Sequence, residues 1–177
     1  RARALLDEMG CKPGPGGVRH RFGLMLVPDG GGAWTRMGHY VKQCLAEVGL
    51  DANLEAVDWP TQSRRSGNWE FDVDTNSYGE YGDPAIGTSR FYLSSNIRKG
   101  VPLTNLQGYR NPEVDRLFAQ AAVAVDPADA QACYSKLQHI LTRDVAMLWM
   151  FERYPLFFHN RRLKNVILGP NGPADGL

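Results

Sequence analysis

The chain has 177 residues, a formal net charge of +1 and 43% apolar residues, which suits one ordinary domain with its own core. Its charges are of mixed sign and form no long basic block, which argues against nucleic acid or an anionic membrane surface as a partner. No apolar run reaches about 18 residues, so no spanning helix is expected, and the first residues lack the charged-then-apolar layout of a signal peptide.

Residues 1–9 predict a helix with Ala4, Leu5 and Met9 on one side, ended by Gly10. It opens without a leader, an initiator Met or an obvious cap, as expected of a fragment of a longer polypeptide. Residues 18–28 alternate weakly and then turn apolar through Phe22, Leu24, Met25, Leu26 and Val27, the pattern of a buried strand. Asp29-Gly30-Gly31-Gly32 ends it, and GxGxxG and GxxxxGK[ST] are both missing, which disfavours a phosphate site. From Ala33, the spacing of Trp34, Met37, Val41, Cys44, Leu45 and Val48 predicts a core-facing helix stopped by Gly49. Residues 50–59 read as a second strand reached through that helix, so the pair should be parallel with a right-handed crossover.

Residues 61–68 leave room for a short helix, and the strict alternation of residues 69–74 predicts a third strand with its acids toward solvent. Residues 89–104 form a long irregular connection. Asn111-Pro112 and Asp126-Pro127 are cap-plus-proline signals for two tandem helices, the first with Val114, Leu117, Phe118, Ala121 and Ala122 inward and the second running to about Arg143. Residues 145–159, rich in Leu, Trp, Phe and Tyr, predict one or two buried strands with Pro155 at a break, and residues 163–168 a further one.

Chemistry-bearing residues are sparse. Cys11, Cys44 and Cys133 are odd in number and far apart, so neither a zinc site nor a disulfide framework is expected; Cys44 and Cys133 read as buried small hydrophobes. His20, His39, His139 and His159 show no ligand spacing, and GxSxG is missing. The expectation is no metal, no cofactor and no catalytic residue.

The run Tyr78-Gly79-Glu80-Tyr81-Gly82-Asp83-Pro84 concentrates carboxylates and aromatics in one short turn. Three readings apply: a solvated turn, paired acids Glu80 and Asp83 for a hydrolase or metal-dependent enzyme, or one carboxylate that catches a cationic ligand. Asp83, held before Pro84, suits shaping the turn by capping a backbone N–H. Among the aromatics, the loop residues Tyr78, Tyr81 and Tyr109 are the pocket candidates.

Ala2 to Gly10, the helix from Met37 to Gly49, Phe71-Asp72-Val73 leading to Gly82-Asp83-Pro84, and Gly108-Tyr109-Arg110-Asn111-Pro112-Glu113-Val114-Asp115 follow one another in a specific order, with Tyr134, Gln138, Ile140-Leu141 and Asp144 beyond. In this order the chain resembles the C-terminal lobe of the family 5 extracellular solute-binding proteins, the peptide/nickel-type receptors of bacterial ABC importers.

The resemblance implies an α/β fold, a single lobe of a two-lobe periplasmic-binding-protein type II fold with a mixed sheet flanked by helices. It spans residues 1–177, with the N-terminal lobe and the extreme C-terminus outside the chain. It further implies a non-enzymatic, monomeric receptor, periplasmic or membrane-associated outside a Gram-positive cell, that passes a peptide or similar small cationic solute to an ABC permease. In peptide-binding relatives an aspartate two residues before the glycine of Gly-Asp-Pro pairs with the ligand's α-ammonium. Glu80 stands there in this chain, which keeps the charge and moves it one methylene outward. Val145-Ala146 departs from the proline frequent after the family's Asp.

Overall fold

The computed structural model describes residues 1–29, 32–79, 81–152 and 158–166. The chain divides into two compact units, Arg1–Ser77 with Lys99–Pro102, and Tyr78–Arg98 with Leu103–Leu177.

The first unit is an α/β layer. Its elements are helix α1 (Ala2–Glu8), strand β1 (His20–Leu26), helix α2 (Ala33–Ala46), strand β2 (Leu50–Ala56), helix α3 (Trp59–Gly67) and the two-residue strand β3 (Val73–Asp74). The sheet order is β2-β1-β3 and both pairings are parallel, with Leu24 opposite Leu54 on one side and Val73 on the other. The central strand β1 is therefore paired along one edge by β2 and, at Leu24 and Met25, on the other by β3. Its last three residues, Leu24, Met25 and Leu26, are all buried, which explains the continuous apolar run there. Helix α2 approaches β1 closely at Gly38, where a Cβ would stand 2.6 Å from Leu26 Cδ2.

Several expectations are corrected here. Strand β3 is confined to Val73–Asp74, although the alternation that suggested it begins at Trp69. Trp69 has a φ of 63°, a left-handed conformation that no strand continues through. Asp74 is not solvated: Gln62 Nε2 donates to Oδ1 at 2.6 Å and Ser66 Oγ to Oδ2 at 2.7 Å. Burial pushes its carboxyl pKa up, and the two hydrogen bonds oppose that shift. Cys44 is exposed, not a core residue. Helix α1 forms, but Leu5 and Met9 are exposed, and the helix is held by polar contacts instead. Arg3 donates to the Glu47 carbonyl at 2.6 Å, and Arg19 pairs with Asp7 at 2.6 Å. Helix α3 starts earlier than expected, because Asp58 accepts from the Thr61 N–H at 2.8 Å and Pro60 follows within the first turn.

The second unit is built on the hairpin of helices α4 (Pro112–Val123) and α5 (Pro127–Asp144). Both begin at the predicted caps: Asn111 Oδ1 accepts from Glu113 N at 3.0 Å and Asp126 Oδ1 from Ala128 N at 2.8 Å. Val114, Leu117 and Phe118 of α4 and Leu137 of α5 bury themselves against Phe91 and Tyr92, and Cys133 packs at the edge of this core. Helix α5 ends at Val145 in the left-handed region.

No strand follows α5 among the described residues 145–152 and 158–166. Leu148, Trp149, Phe151 and Phe158 are exposed, so their apolar character does not mark buried strands there. Pro155 and residues 167–168 lie outside the described residues. The chain is thus an α/β protein with helices flanking a sheet, and its described strands all run parallel.

The long connection of the second unit is ordered by Asn105. This side chain is fully buried; its Nδ2 donates to the carbonyls of Tyr92 at 3.2 Å, Leu93 at 3.1 Å and Tyr109 at 2.8 Å, while Oδ1 accepts from Tyr109 N at 3.0 Å. Asn105→Ala strands these groups without water, and the expected loss is about 2–4 kcal/mol, read as a lower urea midpoint at unchanged m-value.

Candidate functional site

Tyr78, Tyr81, Asp83, Pro84 and Tyr109 all lie in the second unit. Glu80 lies outside the described residues. The turn around it is fixed from its far side. Asp83 Oδ1 accepts from the Ala85 N–H at 2.7 Å and from the Tyr134 hydroxyl at 3.1 Å. The Ile86 and Gly87 N–H groups both donate to the Asp83 carbonyl, at 3.0 and 2.9 Å, and those of Thr88 and Ser89 to the Pro84 carbonyl at 3.0 and 2.9 Å. A carboxylate engaged in this way shapes the backbone of the turn. The Tyr134 phenol is shifted upward, first by burial and then by its bond to Asp83.

The three tyrosines differ in what they present. Tyr78 packs its ring 3.8 Å from that of Phe91 and edge-on to Trp149 at 6.3 Å. Tyr109 stands edge-on to Tyr92 at 6.0 Å, and its hydroxyl donates to Asp144 Oδ2 at 2.6 Å while accepting from Asn111 Nδ2 at 3.2 Å. Burial first, and this bond second, push the phenol up to about 12. The hydroxyl of Tyr109 is therefore committed to joining the cap of α4 to the end of α5. Tyr81 is the exposed member, 46% accessible, with a φ of 53°. Its ring lies over the guanidinium of Arg90 at 5.2 Å, and the same guanidinium sits 4.7 Å from the Phe91 ring.

Hollows among the described residues include two of note. One, of about 860 Å³, lies between the turn and the helix hairpin and is lined by Asp83, Ile86, Ala121, Pro127 and Tyr134. The other, of about 460 Å³, belongs to the first unit and is lined by Val27, Pro28, Ala56, Val57, Asp58 and Trp59, where β1 and β2 end. Ligands of open parallel sheets bind outside the carboxyl ends of the strands, and the half-exposed Trp59 offers an aromatic face there. The sequence reading missed Trp59 and Arg90. The signal for Trp59 was its place between a strand and the Asp58 cap, which had been read as strand. Arg90 carries no motif, because its stacking partners are brought together only by the turn. Among the described residues, no group of three or more His, Cys, Asp or Glu side chains could hold a metal ion.

Comparison with known proteins adds the following. Residues 1–99 match the family described as "Bacterial extracellular solute-binding proteins, family 5 Middle". The probable D,D-dipeptide-binding periplasmic protein DdpA of Escherichia coli K12 is 24% identical over 171 residues, covering 96% of this chain and 31% of that protein. The periplasmic oligopeptide-binding protein OppA of Haemophilus influenzae is 26% identical over 132 residues, 72% of this chain and 22% of that protein. Among solved structures, the ABC transporter-associated periplasmic binding protein DppA of Helicobacter pylori, in complex with peptide STSA, superposes with a TM-score of 0.68 at 20% identity, over 82% of this chain and 27% of that one. The chain thus spans less than a third of the length of the curated relatives it matches.

The commitment of Tyr109 is directly measurable. Its raised folded pKa means that the phenol stabilises the fold fully below about 10, and that this contribution is lost as pH rises through about 12. An ultraviolet difference titration should show one of the seven tyrosines ionising last, near 12. Tyr109→Phe should delete that step, whereas Asp144→Asn should move it part of the way back, since burial, the larger cause, is kept.

Proposed function

This chain belongs to the bacterial extracellular solute-binding proteins of family 5, and we propose that it forms one lobe of a receptor that captures peptides and hands them to an ABC permease. The proposed lobe takes in residues 1–177, and the rest of the cleft belongs to parts of the receptor beyond them. The observation that carries the reading is the match over 96% of the chain to a probable D,D-dipeptide-binding protein, combined with a turn in which Asp83 is bonded to the Ala85 N–H and the Tyr134 hydroxyl. In this reading Glu80 receives the ammonium of the peptide in a charge-assisted hydrogen bond, and Tyr81 lays its exposed ring beside the bound chain. Tyr78 and Tyr109 give the wall its shape, the first through Phe91 and the second through Asp144. Asp83 and Pro84 set the turn.

The receptor acts without catalysis and without a cofactor. What supports this is that these relatives are named for solute binding and not for a reaction. Its place is outside the cytoplasmic membrane, in the periplasm or attached to the outer face of a Gram-positive membrane, where it works as a monomer and has no dealings with nucleic acid. Periplasmic names among the relatives support this location.

Calorimetric titration of the full-length receptor with dipeptides tests the reading. Glu80→Ala should weaken dipeptide binding by about ten- to a hundredfold, the worth of one hydrogen bond to a charged group. An unchanged affinity would remove the amine clamp, and a wild-type receptor that bound no peptide of any length would remove the peptide assignment.

A further inference from the structure

Tyr134 joins two parts of the second unit that packing leaves apart. Its ring lies against the core of the helix hairpin, while its hydroxyl donates to Asp83 Oδ1 at 3.1 Å, across 51 residues of sequence. Between turn and hairpin stands the hollow of about 860 Å³, with Asp83, Ala85 and Ile86 on one side and Tyr134, Ser135 and Gln138 on the other. Ile86, the large aliphatic side chain of that stretch, is 64% exposed and does not close the gap. The Tyr134–Asp83 hydrogen bond therefore bridges helix and turn where side chains do not interdigitate.

The local hydrogen bonds of this stretch fix its shape and not its place. Asp83 Oδ1 takes the Ala85 N–H, the Asp83 carbonyl those of Ile86 and Gly87, and the Pro84 carbonyl those of Thr88 and Ser89, while Ser89 Oγ donates to the Ala85 carbonyl. Each closes within five residues, so each survives if the coil moves as a body. Upstream, Tyr81 and Gly82 are both left-handed, with φ of 53° and 84°. A residue with a Cβ stays in that region only where its surroundings hold it. Tyr78 anchors the start of the turn on the Phe91 ring at 3.8 Å, and Asp83 anchors its end on Tyr134. Glu80 stands between those two anchors in the sequence.

We propose that Tyr134 is a positioning residue for the ammonium of the peptide: from α5 its hydroxyl holds Asp83, and through Asp83 it holds the turn on which Glu80 stands. The inference rests on the amine-clamp reading and deepens it. A carboxylate that meets an ammonium must be held within about 0.5 Å of the productive geometry, and a packed helix supplies that precision better than a loop does. With the anchor loosened, the turn samples other placements, and the apparent affinity falls by the fraction of time it spends in the competent one. Burial and the bond to Asp83 both keep the phenol protonated, so the donor is present throughout the neutral range.

The test uses the full-length receptor and two probes: alanyl-alanine, and propionyl-alanine, the same molecule with hydrogen in place of the amine. Tyr134→Phe should weaken alanyl-alanine by about tenfold, the worth of one hydrogen bond, and leave propionyl-alanine as it was. Ser135→Ala, which removes the neighbouring hydroxyl of α5, should change neither. Adding Tyr134→Phe to Asp83→Ala should cost little further, because both remove one bond. Asp83→Asn, which keeps an acceptor oxygen for the phenol and the Ala85 N–H, should retain more of the amine preference than Asp83→Ala. Equal weakening of both probes by Tyr134→Phe would make the phenol a general support of the fold and overturn the proposal, as would no weakening of either. A wild type that prefers neither probe would overturn the amine clamp and this role with it.

A second readout does not depend on ligand. Hydrogen exchange of the full-length receptor, followed on proteolytic fragments, should speed several-fold over residues 85–89 in Tyr134→Phe and stay unchanged over residues 113–117, at the capped start of α4. If the wild type binds neither probe, the peptide assignment fails and this measurement decides the anchoring alone. An unchanged rate over residues 85–89, or an equal rise in both fragments, would overturn it.

Discussion

The second unit depends on the saturation of one side-chain amide. Ordering a long connection costs roughly 1–2 kcal/mol of backbone entropy per residue, and such a segment needs contacts that fix several residues at once. Asn105 does this by donating to Tyr92, Leu93 and Tyr109 carbonyls and accepting from the Tyr109 N–H, with no exposure to water. The same residue thereby ties Tyr92 and Leu93, where the chain has just placed Phe91 and Tyr92 against the helix hairpin, to Tyr109. Asp115, in the first turn of α4, adds a further tie by accepting from Ser94 N at 2.9 Å. The geometry of the turn at residues 78–84 follows, because Phe91 is the surface on which Tyr78 packs and beside which Arg90 stacks.

The first unit obeys a different constraint, that of a central strand paired on both sides at Leu24 and Met25. Because β1 is paired on both sides, the helices must cover its faces closely, which is why Gly38 stands where any side chain would press on Leu26. Close cover on the faces leaves the strand ends as the accessible part of the sheet. Trp59 and Asp58 stand there, and Asp58 is already engaged in capping α3. The aromatic ring is thus the one large group at that position with no structural duty that its burial reveals.

Elements with both an apolar period and a local terminus were legible from sequence: β1, α2, β2, α4 and α5. Asn111-Pro112 and Asp126-Pro127 announced their helices because a side-chain cap and a proline act within a few residues of one another. Where the deciding contact was distant, the reading failed. The alternation of residues 69–74 is a local pattern, whereas the strand is limited by the left-handed backbone at Trp69 and by the reach of β1's neighbouring ladder. Asp74 looked solvent-facing because nothing nearby in sequence announces that Gln62 and Ser66 will bond to it. Apolar richness alone also misled at residues 145–152: exposure of Leu148, Trp149 and Phe151 is a property of what covers them, which composition does not encode. The resemblance supplied the family and the position of Glu80, while Arg90 could be found only once the turn had brought Tyr81 over it.

The candidate site is organised by a division of charge. Two carboxylates in one short turn invite a catalytic reading, yet Asp83 accepts through Oδ1 from a backbone N–H and a phenol and so serves the architecture of the turn. The Arg90 guanidinium lies beside two rings, Tyr81 and Phe91, and none of the described ion pairs includes it. A binding surface must avoid satisfying itself, because internal pairs would have to be broken before ligand could enter, and the loss would be subtracted from affinity. A turn that spends one acid on its own backbone and enters none of the described ion pairs meets that requirement, and it does so with residues whose roles are separated by what each of them already touches.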